Sequence, residues 1–215
     1  MLKDIKVGIT QRIDKSERYQ EYRDAIDQNM INWVVEIGFL PVTIPNSIVN
    51  IASIDESQGN LNKWLSSIGV NVLILSGGNN IGDMPLRDLT ESCLLTWAKK
   101  NRIPVLGVCR GMQMMGIWSG GQLSDADHHV RTRHTLKATS RFAGTIPVSV
   151  NSFHEKVLKE CPKGFDIMAR SEDGNIEAII HKDLAWEAWM WHPERESSFS
   201  EIDMKRFIRL VQGEK

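Results

Sequence analysis

Residues 104–115, PVLGVCRGMQMM, change from one kind of secondary structure to another at a single cysteine. The apolar run Val105–Val108 is typical of a buried strand, and the methionine-rich segment that follows Cys109 has a helical pattern. Because Gly107 and Gly111 flank it, Cys109 fits the nucleophile-elbow pattern, in which a nucleophile stands between two glycines on a sharp turn. Cys109 is therefore either a small residue that fills a tight corner or a nucleophile held on a strained turn.

If Cys109 is a nucleophile on a strained turn, there is a physical reason for the glycines on either side of it. They give room for a backbone turn that would otherwise bring a side chain into the strand or the helix. A cysteine at a helix N-terminus is favoured as a thiolate by the helix dipole, and the backbone N–H of Arg110 could face a developing oxyanion. A catalytic cysteine also needs a base, so residues elsewhere must decide between the two interpretations.

Apolar runs alternate with amphipathic segments around this stretch. Strands are predicted at residues 6–10, 39–45, 70–75 and 103–108, and helices at residues 16–37, 61–68 and 86–97 and after Cys109. This alternation predicts an α/β fold with a mostly parallel, doubly wound sheet flanked by helices.

The pattern changes in the second half of the chain. Residues 122–142 are polar and irregular, which predicts a long loop. Later strands are predicted within residues 145–155, 165–183 and 185–195, the middle pair as a hairpin around Asp173-Gly174, and a closing helix at residues 201–212. Since no repeat or linker interrupts the sequence, a single domain covering residues 1–215 is predicted.

Composition restricts the class of protein. The chain has 215 residues, of which 41% are hydrophobic and 25% charged, enough for a sizeable core. Its formal net charge of −1 gives no general attraction for nucleic acid or for an anionic membrane. The first residues lack the apolar region of a signal peptide, and three cysteines form no disulfide framework. We expect a cytoplasmic protein that binds neither nucleic acid nor membrane.

Two other predicted strand ends carry polar or glycine residues. In open α/β sheets, ligands bind at the carboxyl ends of the strands. Gly77 and Gly78 follow one apolar run, and His192 and Glu194 follow another. A histidine base whose tautomer is fixed by a carboxylate is what Cys109 would need, so the combination favours the nucleophile interpretation.

PVLGVCRGMQMM, together with LILSGGN and WHPE, resembles the class I glutamine amidotransferases, in particular their gamma-glutamyl hydrolase branch. The resemblance extends over most of the chain, from GITQR to HPER. It implies a flavodoxin-like α/β fold, a catalytic triad of Cys109, His192 and Glu194, and an oxyanion hole made by the backbone N–H groups of Gly78 and Arg110. Cys109 would attack a gamma-glutamyl amide, release the amine and leave a thioester for water to hydrolyse. No cofactor is implied.

The same resemblance implies a set of substrate-binding residues. They are Gly77, Gln113, Asn151, Ser152, Phe153 and His154. Gln113 could instead be an exposed helix residue, and His154 a surface histidine.

Residues 127–134, DHHVRTRH, concentrate three of the six histidines with two arginines. The histidines lack a typical ligand spacing, and no cysteine or carboxylate pair completes a set nearby, so no metal is expected. The segment is either a flexible polar loop or a loop over the active site. In the second case His129, Arg131 and Arg133, with Arg110, would contact a phosphate-bearing leaving group.

Three functions remain to be compared. The first is a gamma-glutamyl amide hydrolase that acts alone on a small-molecule substrate. The second is a glutaminase that passes ammonia to a synthase partner, which at 215 residues would have to be a separate chain. The third is a scaffold without activity, against which the intact Cys109, His192 and Glu194 argue.

CRGMQMM with NSFHE favours the hydrolase. GITQR, LILSGGNN and CRGMQMM are also similar to stretches of bacterial gamma-glutamyl-CDP-amidate hydrolases, which act in the biosynthesis of phosphoramidate groups on capsular polysaccharide. Gamma-glutamylated acids derived from polyamines are the main rival substrates.

Overall fold

A nine-stranded sheet forms the centre of the protein in the computed structural model, which describes residues 4–214. The strands in chain order are β1 (Lys6–Thr10), β2 (Arg12–Ser16), β3 (Glu21–Ala25), β4 (Leu40–Ile44), β5 (Val72–Leu75), β6 (Val105–Val108), β7 (Leu123–Asp125), β8 (Val130–Ala138), β9 (Ser149–Phe153), β10 (Lys156–Leu158), β11 (Phe165–Ser171), β12 (Ile176–His181) and β13 (Trp186–Trp189). The helices are α1 (Gln28–Glu36), α2 (Ile54–Ile68), α3 (Pro85–Asn101), α4 (Arg110–Trp118) and α5 (Glu201–Val211).

Five parallel strands, in the order β4-β1-β5-β6-β13, form one half of the sheet. The apolar runs of the four inner strands, β1, β5, β6 and β13, are buried because helices cover both faces. Helices α1 and α5 pack on one face around Trp33 and Phe207, while α2, α3 and α4 pack on the other around Leu65, Leu94 and Met115. The predicted α/β fold, with a parallel sheet flanked by helices, is confirmed.

Four antiparallel strands, β12-β11-β8-β9, extend the sheet beyond β13. Strands β11 and β12 form the predicted hairpin, in which Gly174 takes the positive φ of 90° that the turn requires. Two short pairs, β2-β3 and β7-β10, lie outside the central sheet. Strand β12 pairs with β13, and Asn151 of β9 contacts the backbone of His192 just beyond the carboxyl end of β13.

The helix predicted over residues 16–37 is wrong in its first half. Residues 12–25 form the β2-β3 hairpin, and α1 begins only at Gln28, where Asp27 caps it by accepting from the Asn29 N–H. Tyr19 and Tyr22, which appeared to begin the apolar stripe, are exposed. Their spacing matched a helix without having a core to face.

The long loop predicted over residues 122–142 is also wrong. It contains all of β7 and of β8, which pairs with β9 and β11. Leu136 is buried on this strand, but most of its other positions are polar, so its alternation carried no clear apolar signal. The prediction failed because the strand is held by backbone pairing with β9 and β11 and not by an apolar face of its own.

None of the helices within residues 4–214 has both the length and the apolar composition needed to cross a membrane.

Candidate active site

Cys109 lies at the junction of β6 and α4 with φ 52° and ψ −105°, a conformation that L residues rarely adopt. A Cβ on Gly107 would lie 2.7 Å from the Met115 sulfur, and one on Gly111 would overlap the Leu75 carbonyl. The strand, the turn and the helix therefore approach so closely that only glycine fits at either side. The junction has the geometry of a nucleophile elbow.

His192 follows β13, and its ring is held by Glu194. The Nδ1 atom of His192 lies 2.7 Å from Oε1 of Glu194, and both side chains are buried. Asn151 fixes the backbone: its side-chain amide donates to the His192 carbonyl at 2.8 Å and accepts from the His192 N–H at 3.0 Å. The glutamate thus sets the orientation of the ring, and the asparagine sets the position of the residue.

The protonation of His192 depends on its two neighbours. Burial alone would lower its pKa, but the charge of Cys109 and hydrogen bonds with Cys109 and Glu194 outweigh burial and raise the pKa to about 9. The imidazole is therefore protonated at neutral pH when Cys109 is a thiolate. Such a pair can attack a carbonyl carbon and then supply a proton to a leaving amine.

The loop after β5 brings Gly77 and Gly78 against this pair. A Cβ on Gly77 would lie 2.6 Å from Cε1 of His192, and Gly78 has a positive φ of 116°. The backbone N–H groups of Gly78 and Arg110 donate to no acceptor within residues 4–214. Two donors at adjacent strand ends are therefore free to meet a ligand.

Arg87, which the sequence did not identify as a functional residue, holds the loop that contains Gly77 and Gly78. Its fully buried guanidinium donates to the carbonyls of Ser76 at 2.7 Å and Gly77 at 2.9 Å, and to Glu91 at 3.1 Å. By binding the carbonyl oxygens, Arg87 fixes the orientation of the peptide units that carry the Gly77 and Gly78 N–H groups. No sequence motif marks it, because an arginine on a predicted helix is ordinarily exposed.

An open cleft of about 340 Å³ leads to Cys109. Among the residues that line it are Gly78, Gln113, Phe153, His154, His192 and Arg195. The Phe153 ring meets the His192 ring edge to face at 5.7 Å, and the Arg195 guanidinium lies over Phe153 at 4.9 Å. The cleft thus combines a nucleophile, hydrogen-bonding groups and one aromatic wall.

The residues expected to bind substrate fall into two groups, those that line the cleft and those that are buried beside it. Gln113, Phe153 and His154 line the cleft, with Gln113 Nε2 donating to the Lys156 carbonyl at 2.9 Å. Asn151 and Ser152 are buried, the first bound to the His192 backbone and the second to the carbonyl of residue 129 at 2.6 Å. Their side chains therefore organise the wall of the cleft.

The four basic residues expected to contact a leaving group also differ in their burial and in their ion pairs. Arg110 is buried and pairs with Asp88 and Glu91, and Arg133 pairs with Glu196 at 2.9 Å. His129 is buried in a cluster with two other histidines, described below, and Arg131 is exposed with a positive φ of 54°. Of these four, the structure leaves Arg131 as the exposed side chain without a described ion pair.

Comparisons with known proteins agree with this geometry. Residues 6–194 match the Peptidase C26 family. The chain is 26% identical over 216 residues to the gamma-glutamyl-CDP-amidate hydrolase of Campylobacter jejuni, covering 96% of this chain and 98% of that protein. It is 25% identical over 220 residues to the gamma-glutamyl-gamma-aminobutyrate hydrolase of Escherichia coli O157:H7, covering 87% of this chain and 86% of that protein.

The fold also matches a solved structure. A glutamine amidotransferase from Thermotoga maritima superposes with a TM-score of 0.62 at 15% identity, covering 97% of this chain and 83% of that one. Since the family match extends over most of the sequence and the architecture agrees, the chain belongs to the Peptidase C26 family, among the glutamine amidotransferase-like proteins.

Proposed function

We propose that this protein hydrolyses a gamma-glutamyl amide with Cys109 as the nucleophile and releases L-glutamate. One observation carries the proposal: a cysteine on a strained elbow and a buried histidine, oriented by Glu194 at 2.7 Å, meet at the carboxyl edge of the parallel strands. Two relatives are gamma-glutamyl hydrolases, and this supports the gamma-glutamyl amide bond as the bond that the protein cleaves.

The reaction would proceed in two halves. The Cys109 thiolate attacks the side-chain carbonyl carbon of the gamma-glutamyl group, and the negative oxygen is received by the N–H groups of Gly78 and Arg110. His192 donates its proton to the amide nitrogen as the C–N bond breaks, so the amine leaves and a thioester remains. His192 then takes a proton from water, which attacks the thioester, and the thiolate departs to give glutamate. Glu194 keeps the ring in the required orientation throughout.

The glutamyl half of the substrate would bind along the wall that contains Gln113, Phe153 and His154. These residues line the cleft beside the nucleophile and offer an amide, a ring face and an imidazole. The Arg195 guanidinium, which lies over Phe153, supplies positive charge for the α-carboxylate of a glutamyl group.

For the amine half we propose the cytidine diphosphate amidate. The relative that acts on gamma-glutamyl-CDP-amidate aligns with nearly the whole of both chains. Arg131 is exposed and directly follows Val130, which lines the cleft, so its guanidinium is our candidate contact for the diphosphate.

The test is an assay of the purified chain without any partner. Gamma-glutamyl-CDP-amidate, gamma-glutamyl-gamma-aminobutyrate and glutamine are supplied in separate reactions, and released glutamate is measured. We expect turnover of the first, and hydroxylamine added during turnover should trap the acyl group as gamma-glutamyl hydroxamate. If gamma-glutamyl-gamma-aminobutyrate is hydrolysed preferentially, the leaving group is gamma-aminobutyrate and not the cytidine diphosphate amidate that we propose. Turnover of glutamine alone, dependent on an added synthase, would replace the hydrolase by a glutaminase.

Cysteine variants test the nucleophile. Cys109→Ala should abolish glutamate release while the protein stays folded, because no other thiol lies on the elbow. Cys161→Ala, at a half-buried position before Pro162, should keep wild-type turnover. Glutamate release by Cys109→Ala at a wild-type rate would remove the thioester mechanism.

A further inference from the structure

Three histidines and a glutamate meet in the antiparallel half of the sheet, outside the candidate catalytic set. His129 precedes β8, His134 lies on β8, His154 follows β9 and Glu177 lies on β12. One ring nitrogen or carboxylate oxygen from each lies within 4.8 Å of all the others. The sequence did not predict this group, because Glu177 and His154 are far from residues 127–134 along the chain.

The distances within the cluster suit a small coordination shell. The Oε1 atom of Glu177 lies 3.5 Å from His129 Nδ1, 3.7 Å from His134 Nε2 and 3.6 Å from His154 Nε2. The two nitrogens of His129 and His154 are 3.3 Å apart. Donor atoms about 2.0–2.1 Å from a tetrahedral zinc ion lie roughly 3.3–3.4 Å from one another. The separations of 3.3–3.7 Å are close to this value, and the remaining pairs of donors lie within 4.8 Å of each other.

Glu177 and His134 lack ordinary partners for the polar atoms that face this cluster. Glu177 is fully buried, and neither of its carboxylate oxygens has a hydrogen bond within residues 4–214. The Nε2 atom of His134 is also buried without a hydrogen bond among the described residues. Buried polar atoms in folded proteins normally have a partner, and a buried carboxylate without one is costly. A cation between the four side chains would supply the missing partner of Glu177 and His134, and would replace the 3.3 Å contact between the ring nitrogens of His129 and His154.

The surroundings of His129 and His154 suit ligands. The second ring nitrogen of His129, Nε2, lies 2.7 Å from the Asp173 carboxylate, the carboxylate–histidine contact usually made behind a metal-bound histidine. The carbonyl of residue 129 accepts from the N–H of His154 at 3.1 Å, which ties two of the ligands together.

We propose that His129, His134, His154 and Glu177 bind one divalent transition metal ion, with Zn²⁺ as the best match. Three imidazoles and one carboxylate form a nitrogen-rich set that zinc takes in tetrahedral geometry, and four protein ligands leave no open position. The site is structural. It joins β8, β9 and β12 and fixes His154 at the wall of the cleft. This proposal does not depend on the reaction proposed for Cys109.

The test measures metal content and stability rather than activity. The full-length protein is stripped with a chelator, exposed to Zn²⁺, desalted and analysed for metal, and its thermal midpoint is recorded with and without the ion. We expect one zinc ion per chain and a higher midpoint with zinc. Glu177→Gln and His134→Asn should each lose most of the bound zinc and the shift of the midpoint.

Two variants serve as controls. His128→Asn changes the exposed neighbour of His129, at a positive φ of 63° that asparagine tolerates, and should keep the ion. Cys109→Ala should also keep it, which excludes binding at the thiol.

The wild-type protein gives a decisive result even if a ligand variant does not fold. Co²⁺ added to the stripped protein should give the intense visible absorption of a four-coordinate ion, and Zn²⁺ should displace it. A wild type that takes up no zinc at micromolar concentration, or a folded Glu177→Gln that binds as much as wild type, would overturn the site. The four side chains would then be held together by hydrogen bonds among them and not by a metal ion.

Discussion

The buried carboxylate of Glu91 pairs with Arg110, the residue that directly follows Cys109. Its other oxygen accepts from Arg87, which binds the carbonyls of Ser76 and Gly77. Burial alone would raise the pKa of Glu91, but the charges of Arg110 and Arg87 outweigh it and hold the pKa below its ordinary value. One ionised side chain thus connects the two backbone segments that we propose to bind the oxyanion.

Glu91→Gln should destabilise the protein strongly. It would leave two buried guanidinium groups without their shared counter-charge, and removal of one partner from a buried ion pair costs about 3–5 kcal/mol. Urea unfolding measures the loss, and kcat should fall because both backbone segments lose their common anchor. Glu201→Gln is the matched control, since Glu201 pairs with Lys205 at the same i,i+4 spacing on the surface and should leave the unfolding curve unchanged. Equal effects of the two variants would contradict this role of Glu91.

Gly77→Ala should impair catalysis without unfolding the protein. The new Cβ would lie 2.6 Å from Cε1 of His192, so the ring must move, and a displacement of about 1 Å at a catalytic group can cost roughly 100-fold in rate. We expect the loss in kcat, measured as glutamate release. Gly59→Ala tests the same substitution in α2, where nothing lies within 4 Å of the added carbon. It should keep full activity and add about 0.5–1 kcal/mol of stability. Wild-type kcat in Gly77→Ala would show that the loop does not hold the ring.

The pH dependence of kcat/KM should report His192. Its pKa is raised to about 9, so the protonated ring persists below that pH and is lost above it. Because the imidazolium is the proton donor to the leaving amine, kcat/KM should fall along an alkaline limb near pH 9. Glu194→Gln removes one of the interactions that raise the pKa, and should move this limb to lower pH as well as lower the maximum. If the alkaline limb of kcat/KM stays at the same pH in Glu194→Gln, the limb does not report the ionisation of His192.

Local constraints made the elbow predictable from the sequence. The glycines beside Cys109 are required by contacts within one strand–turn–helix unit, so their spacing carries the information. His192 and Glu194 are two residues apart and could be paired by the same reasoning. The strands of the parallel half were predictable because continuous apolar runs are buried on both faces.

Long-range contacts explain what the sequence did not reveal. Arg87 and Glu91 have the spacing of an ordinary surface ion pair, and only the packed structure shows them buried beneath the Gly77 loop. Glu177 lies in an apolar strand, with no local sign that three histidines face it. The helical spacing of residues 16–26 was misleading, because such spacing shows a helix only where one face is covered.

Asp203→Asn should change how stability depends on pH. Asp203 lies in the first turn of α5, after the N-cap Ser200, and burial, together with the charge of Glu196, raises its pKa to about 7. In the unfolded chain the pKa is about 3.9, so the folded protein binds this proton more tightly. The stability gained from the proton is fully present below about pH 4 and is lost as the pH rises through about 7.

Asparagine at this position cannot ionise, so the variant should be more stable than wild type at pH 8, by at most about 4 kcal/mol, and similar to it at pH 4. Urea unfolding of both proteins at the two pH values measures the difference. Asp55→Asn, at an exposed position in the first turn of α2, controls for the loss of a helix-terminal charge and should give no gain at pH 8. A difference between wild type and Asp203→Asn that does not grow between pH 4 and pH 8 would show that Asp203 is ionised in the folded protein throughout this range.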